Sequence, residues 1–246
     1  MAVTANKRPY LTVPRLDAVP GLVHGFADAR WSESDFLAFA GSKGMEPVIM
    51  RQLHSDVIHR LDAAPPGKLE GDALMTNVPG LVLVIRTADC LPVLLVDEAN
   101  RAVAAVHCGW RGTEKRILEK AVKAMGEAYG SEPPDMLAAL GPCIGAACYE
   151  VGPEVREAFL GAGFPPAIFV ERGHLPAIQV PDLKKKFLLD LKAANRWLLA
   201  GLGFRKINVH DAGPACTHCE PRLLSYRRHP ADPRRMYNFI GFLPGP

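Results

Sequence analysis

Two rhythms of apolar residues alternate along this chain. Leu81 to Arg86 is a short Val/Leu/Ile run. Pro92 to Val96 and Ala102 to Val106 are two more, with the turn residues Asp97, Glu98, Ala99 and Asn100 between them. Unbroken apolar runs of this length, bounded by turn residues, predict buried strands. Pro47 to Leu53 reads as a strand ending at His54, Leu137 to Leu140 as a short strand leading into Gly141-Pro142, and Ile168 to Glu171 as an extended stretch. Arg205 to His210 reads as a further strand, and Met236 to Phe242 as the last one.

The second rhythm is helical. Ile117, Leu118, Ala121, Val122 and Met125 recur at helical spacing behind Thr113, which suits an N-cap. Pro153 suits the first turn of a helix running to Leu160. Asp182 is placed to cap a long amphipathic helix whose Leu183, Phe187, Leu191, Ala194 and Leu198 share one face, with Gly201 as its stop. No repeat, low-complexity tract or long linker intervenes. The pattern predicts one α/β domain over residues 1–246 with a mixed sheet.

Composition narrows the possible roles. At 48% hydrophobic and 22% charged residues the chain has a globular composition and is not expected to be disordered. The first twenty residues lack a continuous apolar segment, and runs such as Leu81 to Ile85 are far shorter than the roughly 20 residues a membrane span needs. Neither export nor membrane insertion is expected, and the six cysteines read as reduced thiols of a cytoplasmic protein. A formal charge of +3 does not call for a nucleic-acid partner. Its distribution is uneven, because Arg222, Arg227, Arg228, Arg234 and Arg235 crowd the C-terminal quarter. Arginine forks match phosphate and carboxylate oxygens two at a time, so the cluster suits a small anionic ligand as well as a plain solvated surface.

His54, Cys90 and His107 each stand where an apolar run stops, the position at which an α/β sheet presents side chains to a cleft. Singly, each has an ordinary reading, since histidines near strand ends are commonly satisfied polar residues and cysteines commonly pack. Together, two imidazoles and a thiolate suit a borderline-soft ion such as zinc. Three protein ligands leave a fourth position open, which describes a reactive centre. Copper, which binds such donors more tightly, is the other candidate.

Around these residues stand Gln52-Leu53-His54-Ser55, Gly71-Asp72-Ala73-Leu74, Arg86-Thr87-Ala88-Asp89-Cys90-Leu91-Pro92 and Ala105-Val106-His107-Cys108-Gly109-Trp110-Arg111-Gly112. Further along come Leu140-Gly141-Pro142-Cys143-Ile144-Gly145, Tyr149-Glu150-Val151-Gly152, Leu189-Asp190-Leu191-Lys192-Ala193-Ala194-Asn195, and Cys216-Thr217 with Ser225-Tyr226-Arg227-Arg228. In this order the strings resemble the YfiH family, also called the laccase-domain or polyphenol-oxidase-like family, over roughly residues 20 to 242. The resemblance implies a layered α/β sandwich related to cysteine-hydrolase-like folds. It also implies metal ligation by His54, Cys90 and His107, and phosphorolysis of adenosine, inosine and methylthioadenosine with an adenosine deaminase activity. Some bacterial members are instead linked to editing of peptidoglycan precursors. The chain departs from the family in having the shorter Gly25-Phe26-Ala27-Asp28-Ala29-Arg30-Trp31 where a Thr-Arg-x-Gly-Gly-like string is usual, and Arg30 is the arginine standing in that stretch. A true laccase mechanism does not fit, because a multicopper oxidase uses roughly ten imidazoles and this chain has eight histidines with no His-x-His pair.

Phosphorolysis requires purine nucleosides and phosphate as small-molecule partners, with the anion held by arginine forks and loop amides. Arg111 beside Gly112 at the start of a helix is one candidate, and Arg227 and Arg228 are the others. Deamination requires an acid/base carboxylate, for which Asp72 and Asp89 are the candidates. Two other readings stay open: Cys90 as a thiolate nucleophile with His107 as its base, and a metal- or partner-binding protein without catalysis. Cys216-Thr217-His218-Cys219 could supply two legs of a structural zinc site. No second pair follows at matching spacing and His210 is the only nearby imidazole outside the loop, so it reads as a structural loop with free thiols.

Overall fold

The computed structural model describes residues 8–170, 186–213 and 216–245. In chain order the elements are β1 (Tyr10–Leu11), α1 (Pro14–Asp17), β2 (Leu22–Ala27), α2 (Glu33–Ser42), β3 (Glu46–Ile49), β4 (Ile58–Leu61), β5 (Ala73–Thr76), β6 (Leu81–Thr87), β7 (Leu91–Asp97) and β8 (Ala102–Cys108). They continue with α3 (Trp110–Glu114), α4 (Ile117–Tyr129), β9 (Leu137–Leu140), β10 (Glu150–Val151), α5 (Pro153–Gly161), β11 (Phe169–Val170), β12 (Phe187–Leu189), α6 (Leu191–Gly201), β13 (Val209–Asp211) and β14 (Met236–Phe242). Among the described residues they form a five-stranded sheet, β1-β2-β14-β6-β3, a six-stranded sheet, β13-β9-β7-β8-β5-β4, and a small sheet, β10-β12-β11.

Both large sheets are mixed: β3 runs parallel to β6 while β14 runs antiparallel to it, and β4 runs parallel to β5 while β8 runs antiparallel to it. The alternation of side chains within the apolar runs explains how the sheets stack. Leu81, Leu83 and Ile85 of β6 pack with Leu94 and Val96 of β7 and Val103 and Ala105 of β8, so the two large sheets share a core between them. The intervening Val82 and Val84 face Phe36 and Ala40 of α2. On the far side, Val93, Leu95, Ala104 and Val106 meet Ile117, Leu118, Ala121 and Val122 of α4 and Leu191, Ala194 and Leu198 of α6. The layers are therefore helix, sheet, sheet, helix. Every residue of β7, β8 and β14 is buried, which is why these strands are almost wholly apolar, with Asp97, His107 and Asn238 as the buried polar exceptions.

Several elements differ from the sequence reading. The expected cap at Asp182, with Leu183 behind it, lies outside the described residues, and Phe187 belongs to β12 rather than to a helix. The helix begins at Leu191, where Asp190 caps it by accepting from the Ala193 amide at 2.8 Å. A 3.6-residue apolar spacing runs through both segments, and only the strand pairing and the cap separate them. Thr113 is not an N-cap: it lies buried inside α3 and accepts a hydrogen bond from Asn195, while Arg116 at φ 62° breaks α3 from α4. The first predicted strand stops at Ile49, which leaves His54 on a loop. The stretch predicted as a strand from Arg205 begins with a 3-10 turn at Lys206–Asn208, and only Val209–Asp211 pairs. Gly25 to Ala27 lies in β2 rather than in a loop. Helix α2 carried a legible signal, the capping box of Ser32 and Asp35, in which each side chain bonds the other's amide.

His24 of β2 is buried and its Nε2 accepts from the Val13 amide at 2.9 Å. Burial, partly opposed by Asp17, lowers its pKa from 6.5 to about 4. Protonation would turn Nε2 into a donor facing a donor. Between these two values the unfolded chain binds a proton that the folded chain does not, so stability is full above pH 6.5 and falls as the pH drops toward 4. Chemical denaturation between neutral pH and the lower end of that window should show wild type losing up to about 3 kcal/mol more than His24→Gln. Parallel losses in the two proteins would show that His24 is not the titrating group.

Candidate active site

The loop between β3 and β4 is wrapped around a buried carboxylate. Asp72 has no solvent exposure and accepts five hydrogen bonds: from the amides of Leu53 (3.2 Å), His54 (3.0 Å) and Ser55 (2.6 Å), from Ser55 Oγ (2.6 Å) and from His107 Nδ1 (2.7 Å). Burial by itself would raise its pKa. The bonds from His107 and Ser55 outweigh this and hold the carboxyl well below the usual range, so Asp72 is ionised. Gln52 anchors the start of the same loop by exchanging two hydrogen bonds with the backbone of Arg86 on β6, at 2.9 and 2.7 Å.

This arrangement sets both imidazoles. His54 is turned into the left-handed region (φ 58°) by the convergence of three consecutive amides on Asp72. His107, on buried β8, is oriented through its Nδ1 contact with Asp72. Cys90 sits in the tight turn between β6 and β7 beside Asp89, whose φ is 93°. Non-glycine residues in that region are strained by about 1–3 kcal/mol, and here the surroundings impose the geometry. Asp89 accepts from Thr217 Oγ1 and from the Arg227 amide, both at 2.6 Å, which pins the turn to the C-terminal segment.

One donor atom from each of His54, Cys90 and His107 lies within 4.8 Å of the others, with His54 Nε2 at 3.9 Å from Cys90 Sγ. The Cys90 thiol is pushed up by burial but more strongly down by the charge and hydrogen bonds of His107 and His54. His107 is pushed down by burial and more strongly up by Cys90 and Asp72. Both shifts favour the thiolate and the imidazolium, and a metal bound between them would release the imidazolium proton. The donor set fits a metal, and Asp72 behind His107 is the carboxylate partner that metal-binding histidines usually have. A Cβ at Gly109 would stand 3.0 Å from Cys90 Sγ and 3.2 Å from His54 Cδ2, so any side chain there would crowd the donors.

These residues form part of the wall of a cleft of about 680 Å³, within the range of ligand pockets. Trp110, Arg111, Tyr149, Tyr226, Arg227, Arg86 and Arg235 also line it. The Arg111 guanidinium lies 4.4 Å from the Trp110 ring centroid and that of Arg227 lies 5.4 Å from the Tyr149 ring. Arg86, Arg111, Arg227 and Arg235 have no carboxylate within ion-pair distance among the described residues; Arg227 donates to the Glu150 carbonyl at 3.2 and 3.3 Å and Arg235 to the carbonyls of Asp232 and Arg234, contacts that orient the guanidinium groups and leave their charge uncancelled. Burial, reinforced by the nearby Cys90 charge, holds the Tyr149 hydroxyl above the usual phenol range and keeps it a proton donor.

Some sequence expectations change here. Arg228 is not among the residues lining the cleft. Its guanidinium donates to the carbonyls of Thr217, His218, Glu220 and Leu223, which makes it a brace for the C-terminal loop. Arg222 and Arg234 pair with Glu220 and Asp232, so of the C-terminal arginines only Arg227 and Arg235 line the cleft. Arg30 pairs with Asp28 at 2.7 Å and does not enter the cleft. Asp72 is saturated by its five donors and has no site left to shuttle a proton, whereas Asp89 lines the cleft with unused acceptor positions. Helix α3 has five residues, so what Arg111 can offer an anion is its own charge rather than a helix dipole. Reading the sequence did not single out Arg86 or Trp110 as site residues; both sit in the same short strings as Cys90 and His107.

The sequence profile of the family described as multi-copper polyphenol oxidoreductase laccase matches residues 32–243. The purine nucleoside phosphorylase YfiH of Shigella flexneri is 37% identical over 203 residues, 82% of this chain and 76% of that protein. The adenosine deaminase RL5 of an unknown prokaryotic organism is 41% identical over 153 residues, 62% of this chain and 55% of that protein. Among solved structures, YlmD of Geobacillus stearothermophilus superposes with a TM-score of 0.81 at 26% identity, covering 98% of each chain.

Replacing Asp72 by Asn keeps the shape, removes the charge and turns one acceptor into a donor facing donors. Asp72→Asn should bind metal at the His54, Cys90 and His107 donors about 10- to 100-fold more weakly, read by competition with a chromophoric chelator. Unchanged affinity in a folded variant would remove Asp72 from the role of orienting His107.

Proposed function

This chain belongs to the laccase-domain, YfiH-like family, and on that premise we propose that it is a zinc-dependent purine nucleoside phosphorylase that also deaminates adenosine. Its substrates would be adenosine, inosine and S-methyl-5'-thioadenosine with phosphate, and its products the free base and a pentose 1-phosphate. The observation that carries the reading is the juxtaposition, in one cleft, of unneutralised arginines, aromatic faces and the two-histidine, one-thiolate donor set.

In phosphorolysis the glycosidic C–N bond breaks, its electron pair leaves with the purine, and a phosphate oxygen bonds to the anomeric carbon. Positive charge develops on the sugar in between. Arg111 and Arg227 offer forks that would hold the phosphate dianion in place for that attack. Trp110, Tyr149 and Tyr226 supply flat apolar faces on which a purine can stack. The Tyr149 hydroxyl and Asp89 are the groups available to donate or accept a proton at the base. Asp72 is a positioning residue, since it reaches the cleft only through His107 and the His54 loop. His54, Cys90 and His107 would hold the zinc, which when bound supplies Lewis-acid polarisation to the cleft. No helix among the described residues is long and apolar enough to cross a membrane, and all six cysteines are free thiols, which supports a cytoplasmic place for the protein.

A second reading is favoured by one specific feature. The line Cys90, His107, Asp72 has the connectivity of a thiolate nucleophile, its base and the carboxylate that orients the base, as a cysteine hydrolase acting on peptidoglycan precursors would need. Phosphate separates the two readings. Release of hypoxanthine from inosine should rise with phosphate concentration and vanish without it. Phosphate-independent turnover together with covalent trapping of Cys90 by an electrophilic amide would favour the hydrolase and overturn the phosphorylase.

Arg111→Ala and Arg227→Ala should each raise the KM for phosphate about 10- to 100-fold, the loss expected when a charge-assisted hydrogen bond of about 1.5–3 kcal/mol disappears. Initial rates at varied phosphate and saturating inosine check this. Arg228→Ala should lower thermal stability instead, with little change in phosphate KM once the protein is folded.

A further inference from the structure

A second group of soft ligands lies apart from the donors assigned to the active site. The short turn Gly145 to Tyr149 and the turn Cys216 to Cys219 are brought together across 71 residues of sequence, with Cys148 Sγ 3.3 Å from Cys219 Sγ. A ring nitrogen of His218 joins them, and the three donor atoms lie within 4.8 Å of one another. Cys216 opens the same turn, and its thiol interacts with that of Cys148 from just outside the group of three, so it would close the set by a small shift of its side chain. From the sequence alone the Cys-x-x-Cys turn lacked a partner. The fold supplies one in Cys148.

We propose that Cys148, Cys216, Cys219 and His218 form a structural site for a thiophilic divalent cation such as zinc, clamping the 145–149 turn to the 216–219 turn. Two cysteines separated by two residues, completed by a cysteine and a histidine, match the closed tetrahedral sets that hold zinc for stability rather than for catalysis. The backbone is arranged for a metal-bound sulfur: Cys216 Sγ accepts the Gly145 amide at 3.1 Å, and the amides of His218 and Cys219 lie beside it. Gly145 permits that approach, because a Cβ there would stand 3.2 Å from Cys216 Cβ. The turns are also joined by backbone, with the Thr217 amide donating to the Cys143 carbonyl at 3.0 Å. Behind the ligands, Arg228 donates to the carbonyls of Thr217 and His218 at 2.8 Å and offsets the net negative charge of three thiolates around a divalent ion. On binding, each thiol releases its proton to solvent and no oxidant is involved. The clamp lies one residue from two parts of the cleft. Tyr149 follows Cys148, and Thr217, which holds Asp89, follows Cys216.

Zinc stoichiometry of the purified protein, measured by native mass spectrometry after removal of excess ion, tests the proposal. Wild type should carry two zinc ions. Cys148→Ser/Cys219→Ser should carry one, and so should His54→Ala/His107→Ala, with the retained ion held by a different donor set in each. Cobalt substitution distinguishes them, because His54→Ala/His107→Ala should keep the stronger thiolate-to-cobalt charge transfer. Added zinc should raise the melting temperature of His54→Ala/His107→Ala and leave that of Cys148→Ser/Cys219→Ser/His54→Ala/His107→Ala unmoved. His218→Ala, a milder change, should weaken the second ion without removing the first, which covers the case of a cysteine variant that fails to fold. One zinc in wild type that is lost with His54 and His107 would overturn the proposal. A Cys148–Cys219 disulfide in protein purified without reductant and saturated with zinc would also overturn it.

Discussion

The Asp72 carboxylate carries its charge where there is no solvent, and the five donors gathered around it make that position tenable. An ionised group buried without partners would be very unfavourable, so the loop around Asp72 can hold its shape only while those donors point inward. Three consecutive amides are committed in this way, and the left-handed backbone at His54 follows from their convergence. The same carboxylate also reaches His107 on β8. One buried charge therefore fixes two imidazoles, one on the loop after β3 and one on β8, and Cys90 meets them from the turn between β6 and β7.

The rest of the cleft is organised by charge left without a counter-charge. Several arginines elsewhere on the surface are paired: Arg196 with Asp211, Arg205 with Asp135, Arg234 with Asp232, and on the cleft wall itself Arg51 is paired with Glu70. In the cleft, Arg111 and Arg227 lie over aromatic rings instead, which holds their guanidinium planes without cancelling their charge. Among the described residues neither Arg111 nor Arg227 has a carboxylate in ion-pair contact, so an anion entering this space meets two uncancelled cations, with Asp89 on the same wall.

Much of this was readable in the chain, and the unread part has a physical pattern. Strands β6, β7, β8 and β14 and helix α4 announce themselves because burial on both faces, or on a single helical stripe, leaves a periodic apolar trace. His54, Cys90 and His107 were visible because each stands near the end of such a trace. The roles of Asp72, Arg228 and Cys148 were not visible, because each depends on partners remote in sequence or on backbone carbonyls that carry no residue-type signal. The start of α6 was misplaced for a related reason. Helical spacing persists through Phe187, and only the hydrogen bonds of β12 and the Asp190 cap reveal the boundary.

The place of β14 in the five-stranded sheet has a consequence for how the chain folds. This strand follows every other described element, yet it sits between β2 and β6 near the middle of the sheet. During synthesis the facing edges of β2 and β6 must wait, unpaired, until residues 236–242 have left the ribosome. Exposed strand edges of this kind invite pairing with other chains. Assembly of this sheet is thus a late, long-range event. Its completion also draws Arg227 and Arg235, just upstream of β14, to the cleft, so that wall is whole only once β14 has paired.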